Sequence, residues 1–390
     1  MPVRSGDKPR VLYFVSHPIP YQAPMIKYLA TTGDVEMHVV FARDDGLVSY
    51  YDPDFQKSVA WDIPLTDGYS HEFLRIRSGE ATSRFIKLTE LVSLIQTFRR
   101  FRPDAVWVHG YDSRFSLALL AACKLTRVPL LARADVEESD AHGGPKVRMV
   151  KNRLLRWYFP HISGFLAVGI RNAKFYSDRG VPARKIFSTP YGIDNVRFQQ
   201  TTESPASSEV PTFLFAGKLI PRKRPQDAIE ALRRVPAAKL IFFVGSGELE
   251  PMLRQMTEDY GLQDRVTFAG FVNQADIVGY YQRAAALLLI SERERWGLVA
   301  NEAMAAGCPV ISYEAVGCSH DLVRDQETGF VVDTGNVPQL AEAMTKLLDP
   351  ERQRELSRNA REHVANYSFH DVARGLNDSL KSLGVLTPAG

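Results

Sequence analysis

Two glutamates, Glu294 and Glu302, are separated by seven residues in a segment whose pattern predicts a strand, a turn and a helix. The apolar run over residues 284–290 is typical of a buried strand, Gly297 breaks the backbone, and residues 298–306 have helical periodicity. Because a helix N-terminus carries N–H groups and a partial positive charge, it suits an anionic ligand, while a nearby carboxylate can accept hydrogen bonds from hydroxyls. Phosphate with hydroxyls indicates a nucleotide sugar. A solvated helix start explains this segment alone equally well.

A basic loop over residues 217–223 follows another predicted strand at 212–216. Gly217 lets the backbone turn, and Lys218 and Lys223 together could neutralise a diphosphate. On its own such a loop is usually just solvated. The sequence contains no Ser-His-Asp arrangement, HExxH or GxxxxGK[ST] motif that would indicate a different chemistry.

Two glycines, Gly245 and Gly247, come directly after a predicted strand at 239–244. They resemble half of a dinucleotide-binding fingerprint, but Glu250 occupies the place of its third glycine, so the segment is weak evidence for NAD. If the strands are parallel, the basic loop, this glycine pair and the two glutamates lie at one edge of a sheet. That edge would combine phosphate neutralisation, close backbone approach and hydroxyl binding.

Composition limits the classes of partner. The chain has 390 residues, 45% of them apolar, and a formal charge of only +3, which argues against nucleic acid as the main partner. Three cysteines without CxxC or metal-ligand spacing fit a reducing compartment. The polar first ten residues do not resemble a signal peptide, and apolar runs fall short of the ~18 residues of a membrane span. We therefore predict a cytoplasmic protein.

Short apolar strands alternate with helices along the whole chain, which predicts an α/β protein with parallel sheets. The polar, Ser- and Pro-containing stretch before residue 212 interrupts this alternation and predicts a linker. We expect two Rossmann-like αβα domains facing each other across a cleft. The predicted boundaries are 1–195 for the first domain, 196–211 for the linker, 212–370 for the second domain and 371–390 for a C-terminal helix.

Polar residues follow several strands of the predicted first domain, where ligands of parallel sheets bind. A structural hydrogen bond explains any one of them at least as well as chemistry does. The candidates are His17, Tyr21, His109, Arg133 and Asp135.

Residues 146–157 contain five basic residues, no acid, and apolar residues at roughly helical spacing. A basic amphipathic helix can lie on an anionic membrane at its inner, cytoplasmic face. A solvated face is the usual explanation of such a charge run. Both alternatives stay open at this point.

The order of motifs in the second half of the chain resembles glycosyltransferase family 4, whose members are retaining, metal-independent enzymes of the GT-B fold. The likeness is close from about residue 191 onward and looser before it. The motifs that carry it are Gly217-Lys-Leu-x-x-x-Lys223, Gly245-x-Gly247, Val266-x-Phe-x-Gly270, Ser291, Glu294-x-Trp-Gly-Leu-Val-x-x-Glu302-Ala-Met-Ala-x-Gly-x-Pro-Val310, Gly317 and Thr328-Gly329.

The resemblance implies a role for each matched residue. Lys218, in place of the usual arginine, and Lys223 would contact the donor diphosphate, Glu294 the hydroxyls of the donor sugar, and Glu302 the ribose. His109 would face the transferred sugar, and residues 371–390 would return to the first domain. Further donor contacts would come from Gly217, Gly245, Gly247, Phe271, Gly297, Leu298 and Val299. The resemblance does not extend to residues 16–24, which lack the glycines of the commoner family pattern. From their positions, His17, Tyr21, Arg133 and Asp135 are candidates for the acceptor side.

We therefore expect a retaining transferase that moves a sugar from a nucleotide-diphospho sugar to a glycan, lipid-linked or small-molecule acceptor without a metal or other cofactor. Front-face attack is expected, with phosphate charge stabilised by Lys218, Lys223 and a helix N-terminus. Two other classes stay open. One is an epimerase or phosphorylase of the same fold, and the other is a non-catalytic nucleotide- or sugar-binding protein.

Overall fold

The computed structural model describes residues 8–45, 47, 50–52, 57–59, 63–74, 88–111, 113–136, 144–200, 210–270, 272 and 276–387. The chain divides into two compact units. Unit 1 comprises Met1–Ser49, Ile63–Gly192 and Phe369–Gly390, and unit 2 comprises Tyr50–Asp62 and Ile193–Ser368.

Strands and helices alternate along the described residues, as the sequence predicts. The strands are β1 (Arg10–Val15), β2 (Glu36–Phe41), β3 (Tyr50–Asp52), β4 (Lys57–Val59), β5 (Ser70–Phe73), β6 (Ala105–His109), β7 (Leu130–Arg133), β8 (Gly164–Ala167), β9 (Ile186–Ser188), β10 (Thr212–Ala216), β11 (Lys239–Val244), β12 (Val266–Phe268), β13 (Ala286–Leu289), β14 (Val310–Tyr313) and β15 (Gly329–Val332). The α-helices are α1 (Ala23–Thr32), α2 (Leu88–Phe101), α3 (Arg114–Thr126), α4 (Pro145–Tyr158), α5 (Ile170–Ser177), α6 (Asn195–Gln199), α7 (Pro225–Arg233), α8 (Glu250–Asp259), α9 (Ile277–Arg283), α10 (Val299–Ala305), α11 (Val337–Lys346), α12 (Pro350–Val364) and α13 (Phe369–Ser382).

Unit 1 is built on a parallel sheet with strand order β5-β2-β1-β6-β7-β8-β9. Its central strands are apolar on both faces because helices cover both, which is why they read as continuous hydrophobic runs. Tyr13 on β1 and Trp107 on β6 are fully buried and pack with ring centroids 4.3 Å apart. Polar residues are thereby confined to the strand ends.

Unit 2 contains a second parallel sheet with strand order β12-β11-β10-β13-β14-β15. The described side chains of β13 and β14 are all buried. The strands β11, β10 and β13, which precede the two predicted loops and the two glutamates, are immediate neighbours. The α/β class with two parallel sheets is therefore confirmed. Strands β3 and β4 form a separate antiparallel hairpin.

The predicted linker at 196–211 is wrong at its start, because α6 occupies residues 195–199. The Asp194 side chain caps this short helix by accepting from the Arg197 N–H at 3.3 Å. Phe198 is only 3% exposed, and its burial holds the helix against unit 2. Residues 201–209 lie outside the described part of the chain.

The last helix, α13, belongs to unit 1, as expected for the predicted return of the C-terminal segment. Val372, Leu376 and Leu380 are at most 1% exposed and join the core that contains Tyr13 and Trp107. Gly375 lies so close to β9 that a Cβ atom there would be 1.9 Å from the Ser188 carbonyl oxygen. The helix can pack on this sheet only because that position has no side chain.

Replacement of Gly375 by alanine is therefore expected to destabilise the protein by about 1–3 kcal/mol, the usual cost of overpacking. Alanine is the better helix former by roughly 1 kcal/mol, so propensity alone predicts the opposite sign. Urea unfolding followed by circular dichroism measures the change. Ser382→Ala, at an exposed position of α13, is the control. A midpoint for Gly375→Ala at or above wild type would contradict the close contact.

Candidate functional site

Three loops meet at the carboxyl edge of the unit 2 sheet. They follow the neighbouring strands β11, β10 and β13, and they contain the predicted glycine pair, lysine loop and first glutamate. The structure thus brings these motifs together, as the sequence predicts for a parallel sheet. We call Gly217, Lys223, Gly247, Glu294 and Glu302 the unit 2 cluster.

Backbone hydrogen bonds tie the three loops to one another. Leu219 donates to the Ser246 carbonyl at 3.1 Å and accepts from the Leu249 N–H at 3.0 Å. On the other side, the Glu292 N–H donates to the Arg222 carbonyl at 2.8 Å. The lysine loop therefore lies between the other two and is held by main-chain contacts that are independent of its side chains.

The close approach of the glycine loop to the backbone of the lysine loop requires glycine at position 247. Its φ is +157°, and a Cβ atom would be 2.5 Å from the Leu219 carbonyl oxygen. Only glycine meets both conditions without moving the chain. The partial dinucleotide-like pattern has a structural reason here, which is to let the glycine loop contact the lysine loop.

An ion pair between Lys223 and Glu294 joins the lysine loop to the turn after β13. The two side chains are only 14% and 19% exposed, so solvent screens the pair weakly. Arg222 Nη1 lies 3.7 Å from the same carboxylate, and the Ser291 hydroxyl donates to it at 3.5 Å. The Glu294 carboxylate is thus surrounded by two cations and a hydroxyl. Lys218, in the same loop as Lys223, is half-buried.

The turn that carries Glu294 ends at Gly297, whose φ is +95°. A Cβ atom at Gly297 would be 2.9 Å from Leu289 Cδ2, so the turn packs directly on the end of β13. Leu298 caps α10, which begins at Val299 and has seven residues, slightly fewer than predicted. Of the predicted donor contacts, Phe271 lies outside the described residues.

Glu302 lies on α10 in a different environment from Glu294. Burial raises the pKa of Glu302 to about 7. The hydrogen bond from Tyr281 and the charge of Arg197 lower it, but by less than burial raises it. The Tyr281 hydroxyl donates to Glu302 Oε2 at 2.9 Å. One glutamate is therefore paired with a cation, whereas the other is hydrogen-bonded by a neutral phenol.

The predicted polar residues of unit 1 also come together, at the carboxyl edge of its own sheet. His109 and Arg133 end β6 and β7 and are paired in register, and the Gly110 N–H donates to the Arg133 carbonyl at 2.7 Å. Arg133, Asp135 and His17 all influence the pKa of His109 electrostatically. We call His17, Tyr21, His109, Arg133 and Asp135 the unit 1 cluster.

His109 is held in the neutral form. Burial, followed by the positive charge of Arg133, lowers the pKa of His109 to about 4, although Asp135 acts in the opposite direction. The Gln22 amide nitrogen lies 3.3 Å from His109 Nε2, and Gln22 Oε1 accepts from the Tyr13 hydroxyl at 3.0 Å. A neutral imidazole at this position can exchange hydrogen bonds with a hydroxyl group without carrying charge.

Arg133 is buried among aromatic rings, with only 2% of its surface exposed. Its guanidinium carbon lies 5.0 Å from the Tyr191 ring centroid, and Nη2 donates to the Pro190 carbonyl at 3.2 Å. Tyr21 packs edge-on against Tyr191 at 5.7 Å and is 39% exposed. Arg133 therefore fixes the back of the cluster, while Tyr21 is its accessible edge.

Two contacts escape sequence reasoning. Gln22 and Tyr281 position His109 and Glu302, respectively, although each is distant from its partner along the chain. For Gln22 the only signal is a polar side chain at the start of the first helix, where a ligand edge is expected. For Tyr281 there is none, since an aromatic residue on a helix usually indicates core.

Two family models match the chain in succession. A model described as glycosyl transferase 4-like domain covers residues 20–192, and one described as glycosyl transferases group 1 covers residues 197–363. The chain belongs to glycosyltransferase family 4. Apart from residues 50–62, the first match lies in unit 1, and the second lies in unit 2. The resemblance seen in the motifs therefore extends to both halves of the chain.

Curated relatives of the chain match over part of their length. A D-inositol 3-phosphate glycosyltransferase of Nocardia farcinica is 32% identical over 51% of the chain and 48% of its own length. A GDP-mannose-dependent phosphatidylinositol monomannoside mannosyltransferase of Mycobacterium tuberculosis is 31% identical over 51% of the chain and 57% of its own length. The chain spans about half the length of the curated relatives it matches.

Solved structures match over nearly the whole chain. Anabaena HepE in complex with UDP has a TM-score of 0.74 at 19% identity and covers 96% of this chain and 100% of its own. Sucrose-phosphate synthase from Thermosynechococcus elongatus has a TM-score of 0.70 at 20% identity, covering 96% and 99%. These likenesses confirm the GT-B fold of this family 4 member.

Glu302 makes the stability of the protein depend on pH. Its pKa is about 7 in the folded state and near 4.5 ordinarily, so between these values the folded state binds more protons and stability falls as pH rises. The Glu302→Gln variant lacks this titrating group and should not lose stability in this way. We expect the unfolding free energy of the variant minus that of wild type to increase between about pH 5 and about pH 8, by at most about 3 kcal/mol.

Urea unfolding of both proteins across this pH range measures the difference. Glu258→Gln, at an exposed glutamate of α8, should give a difference that does not vary with pH. If Glu302→Gln gave the same flat difference, the carboxylate would be solvated rather than buried.

Proposed function

We propose that the chain is a retaining glycosyltransferase that moves a sugar from a nucleotide-diphospho sugar to an acceptor hydroxyl. The observation that carries this proposal is the Lys223–Glu294 pair within three loops tied together at one sheet edge. A cation beside a hydroxyl-binding carboxylate suits a ligand that presents phosphate next to sugar hydroxyls. Family membership supports the same reaction class.

Charge develops on the diphosphate as the sugar leaves, and the lysine loop is the proposed means of stabilising it. Lys223 and Lys218 would contact the phosphate oxygens, helped by the N–H groups at the start of α10. With Lys223 moved toward phosphate, Glu294 would accept hydrogen bonds from the donor sugar. Glu302, already hydrogen-bonded to Tyr281, would accept from the ribose.

In unit 1, we assign neutral His109 to the transferred sugar. A charged imidazolium would oppose the positive charge that develops at the anomeric carbon during transfer, so the low pKa of His109 suits this position. Tyr21, as the exposed edge of the unit 1 cluster, and His17 are assigned to the acceptor. After the larger effect of burial, Arg133 lowers the pKa of His109 and Asp135 raises it.

The relatives suggest donors and acceptors to test. HepE structures contain UDP or UDP-glucose, whereas the mycobacterial relative is named as GDP-mannose-dependent and acts on a phosphatidylinositol mannoside. Both nucleotides are therefore candidates for this chain, with a glycan, lipid-linked or small-molecule acceptor. A thermal-shift comparison of UDP, GDP and ADP identifies the base, because a ligand of the folded state raises apparent stability.

Removal of the lysine should abolish stabilisation of the leaving diphosphate. Lys223→Ala is expected to lower kcat by about 10²–10³, the usual cost of one such contact. Steady-state transfer with the donor found by thermal shift measures it. Lys239→Ala, at an exposed lysine of β11, is the matched control and should retain activity.

A double variant separates catalysis from folding. Lys223→Ala leaves the carboxylate of Glu294 without its close cation, which is itself destabilising. Lys223→Ala/Glu294→Gln removes both charges, so its stability should recover while its activity stays low. Recovery of activity in the double variant, or unchanged turnover by Lys223→Ala for every accepted donor, would contradict the assignment.

The stereochemistry and metal dependence of transfer form a further expectation. With an α-linked nucleotide sugar, proton NMR of the new linkage should show an α-anomer, and dialysis against EDTA should leave the rate unchanged because lysines supply the cationic charge. A β-linked product would overturn retention. Loss of activity on EDTA treatment, restored by added Mg²⁺ or Mn²⁺, would overturn metal independence.

A further inference from the structure

Helix α4 of unit 1 has apolar residues on two sides. On the inner side, Leu155 and Tyr158 are each 8% exposed and belong to the unit 1 core. On the outer side, four large apolar residues recur at intervals of three, four and three positions, which places them on one helix face. These are Val147, Val150, Leu154 and Trp157, with exposed fractions of 57%, 55%, 60% and 69%, and we call them the outer stripe.

The inner side of α4 is the side that packs on the rest of unit 1. Leu155 and Tyr158 anchor the helix, and Arg179, packed 3.6 Å over the Phe175 ring, donates to Asn152 at 2.7 Å on the neighbouring turn. The outer stripe touches none of this. A contiguous exposed apolar stripe in a charged helix is unusual and indicates a binding surface.

The charge on the helix is of one sign. Its sequence, PKVRMVKNRLLRWY, contains five basic residues and no acidic one. All five are exposed. By helical spacing Lys146, Lys151 and Arg153 flank the outer stripe, whereas Arg148 and Arg156 lie on the other side of the helix, where Arg156 donates to the Asp178 carbonyl at 3.2 Å. Long basic side chains can lay their stems along apolar surface and keep their charges in an anionic headgroup layer, whereas tryptophan prefers the boundary between the two.

The same kind of surface continues beyond the end of the helix. The Trp157 ring packs edge-on against His161 at 5.3 Å, and His161 lines an open cavity of about 380 Å³ together with Lys124 and Arg127. Between these two basic residues in sequence, Leu125 is 86% exposed. Lys124 and Arg127, at the end of α3, therefore add positive charge near the end of α4.

No helix among the described residues is both long enough and apolar enough to cross a bilayer. The combination on α4 is that of a helix lying in the plane of an interface. We propose that the outer stripe and its flanking basic residues bind the surface of an anionic lipid bilayer. This proposal is independent of the transferase proposal, because surface binding is measured without any donor.

Co-sedimentation of the full chain with phosphatidylcholine vesicles, with and without phosphatidylglycerol, tests it. We expect binding only to the anionic vesicles and weakening as salt is raised. Leu154→Ser/Trp157→Ser, which removes apolar contact, and Lys151→Glu/Arg153→Glu, which reverses charge, should each weaken the partition coefficient about tenfold or more. All four residues are exposed, so these variants should keep the thermal stability of wild type.

Met252→Ser, at an apolar position of α8 that is 41% exposed, is the matched control in unit 2 and should bind like wild type. Absence of wild-type binding to anionic vesicles at low salt would overturn the proposal. So would equal binding by either double variant. If sedimentation velocity instead showed a wild-type dimer that Leu154→Ser/Trp157→Ser dissolves, the outer stripe would be covered by a second copy and the proposal would be wrong.

Discussion

The ion pair between Lys223 and Glu294 is the interaction on which the unit 2 cluster depends. Both side chains are largely removed from solvent, so the loss of either one leaves an uncompensated charge near the sheet edge. The Glu292–Arg222 backbone bond already brings the two loops together, and the ion pair fixes their side chains. The ion pair thereby localises the Lys223 cation at this edge of the sheet.

Parallel sheets explain why chemistry is confined to these edges. Because the strands are mostly buried and apolar, the polar residues of both clusters lie at or beyond the carboxyl ends of strands, apart from Glu302 on α10. Burial at those edges favours the neutral form of an ionisable group in both units. It lowers the pKa of His109 and raises the pKa of Glu302 toward neutrality, whereas Glu294 is paired with Lys223.

Sequence reasoning succeeded where a motif and its structural cause are local. The glycine pattern at Gly247 marks a backbone contact, and the fold class follows from strand–helix alternation. The sequence prediction failed at α6. This five-residue helix is capped by the Asp194 side chain, and its Phe198 side chain is buried. Sequence reasoning also could not find Tyr281, whose bond to Glu302 depends on how two helices pack.

Helix α4 shows a further limit of pattern reading, since one charge run can belong to two different surfaces. The sequence contains alternating basic and apolar residues but does not say which apolar ones fold inward. The structure assigns Leu155 and Tyr158 to the core and leaves the outer stripe in solvent. Leu154 and Trp157 of the outer stripe are 60% and 69% exposed and do not belong to the unit 1 core. The proposed contact with an anionic bilayer would account for these exposed apolar residues beside positive charge.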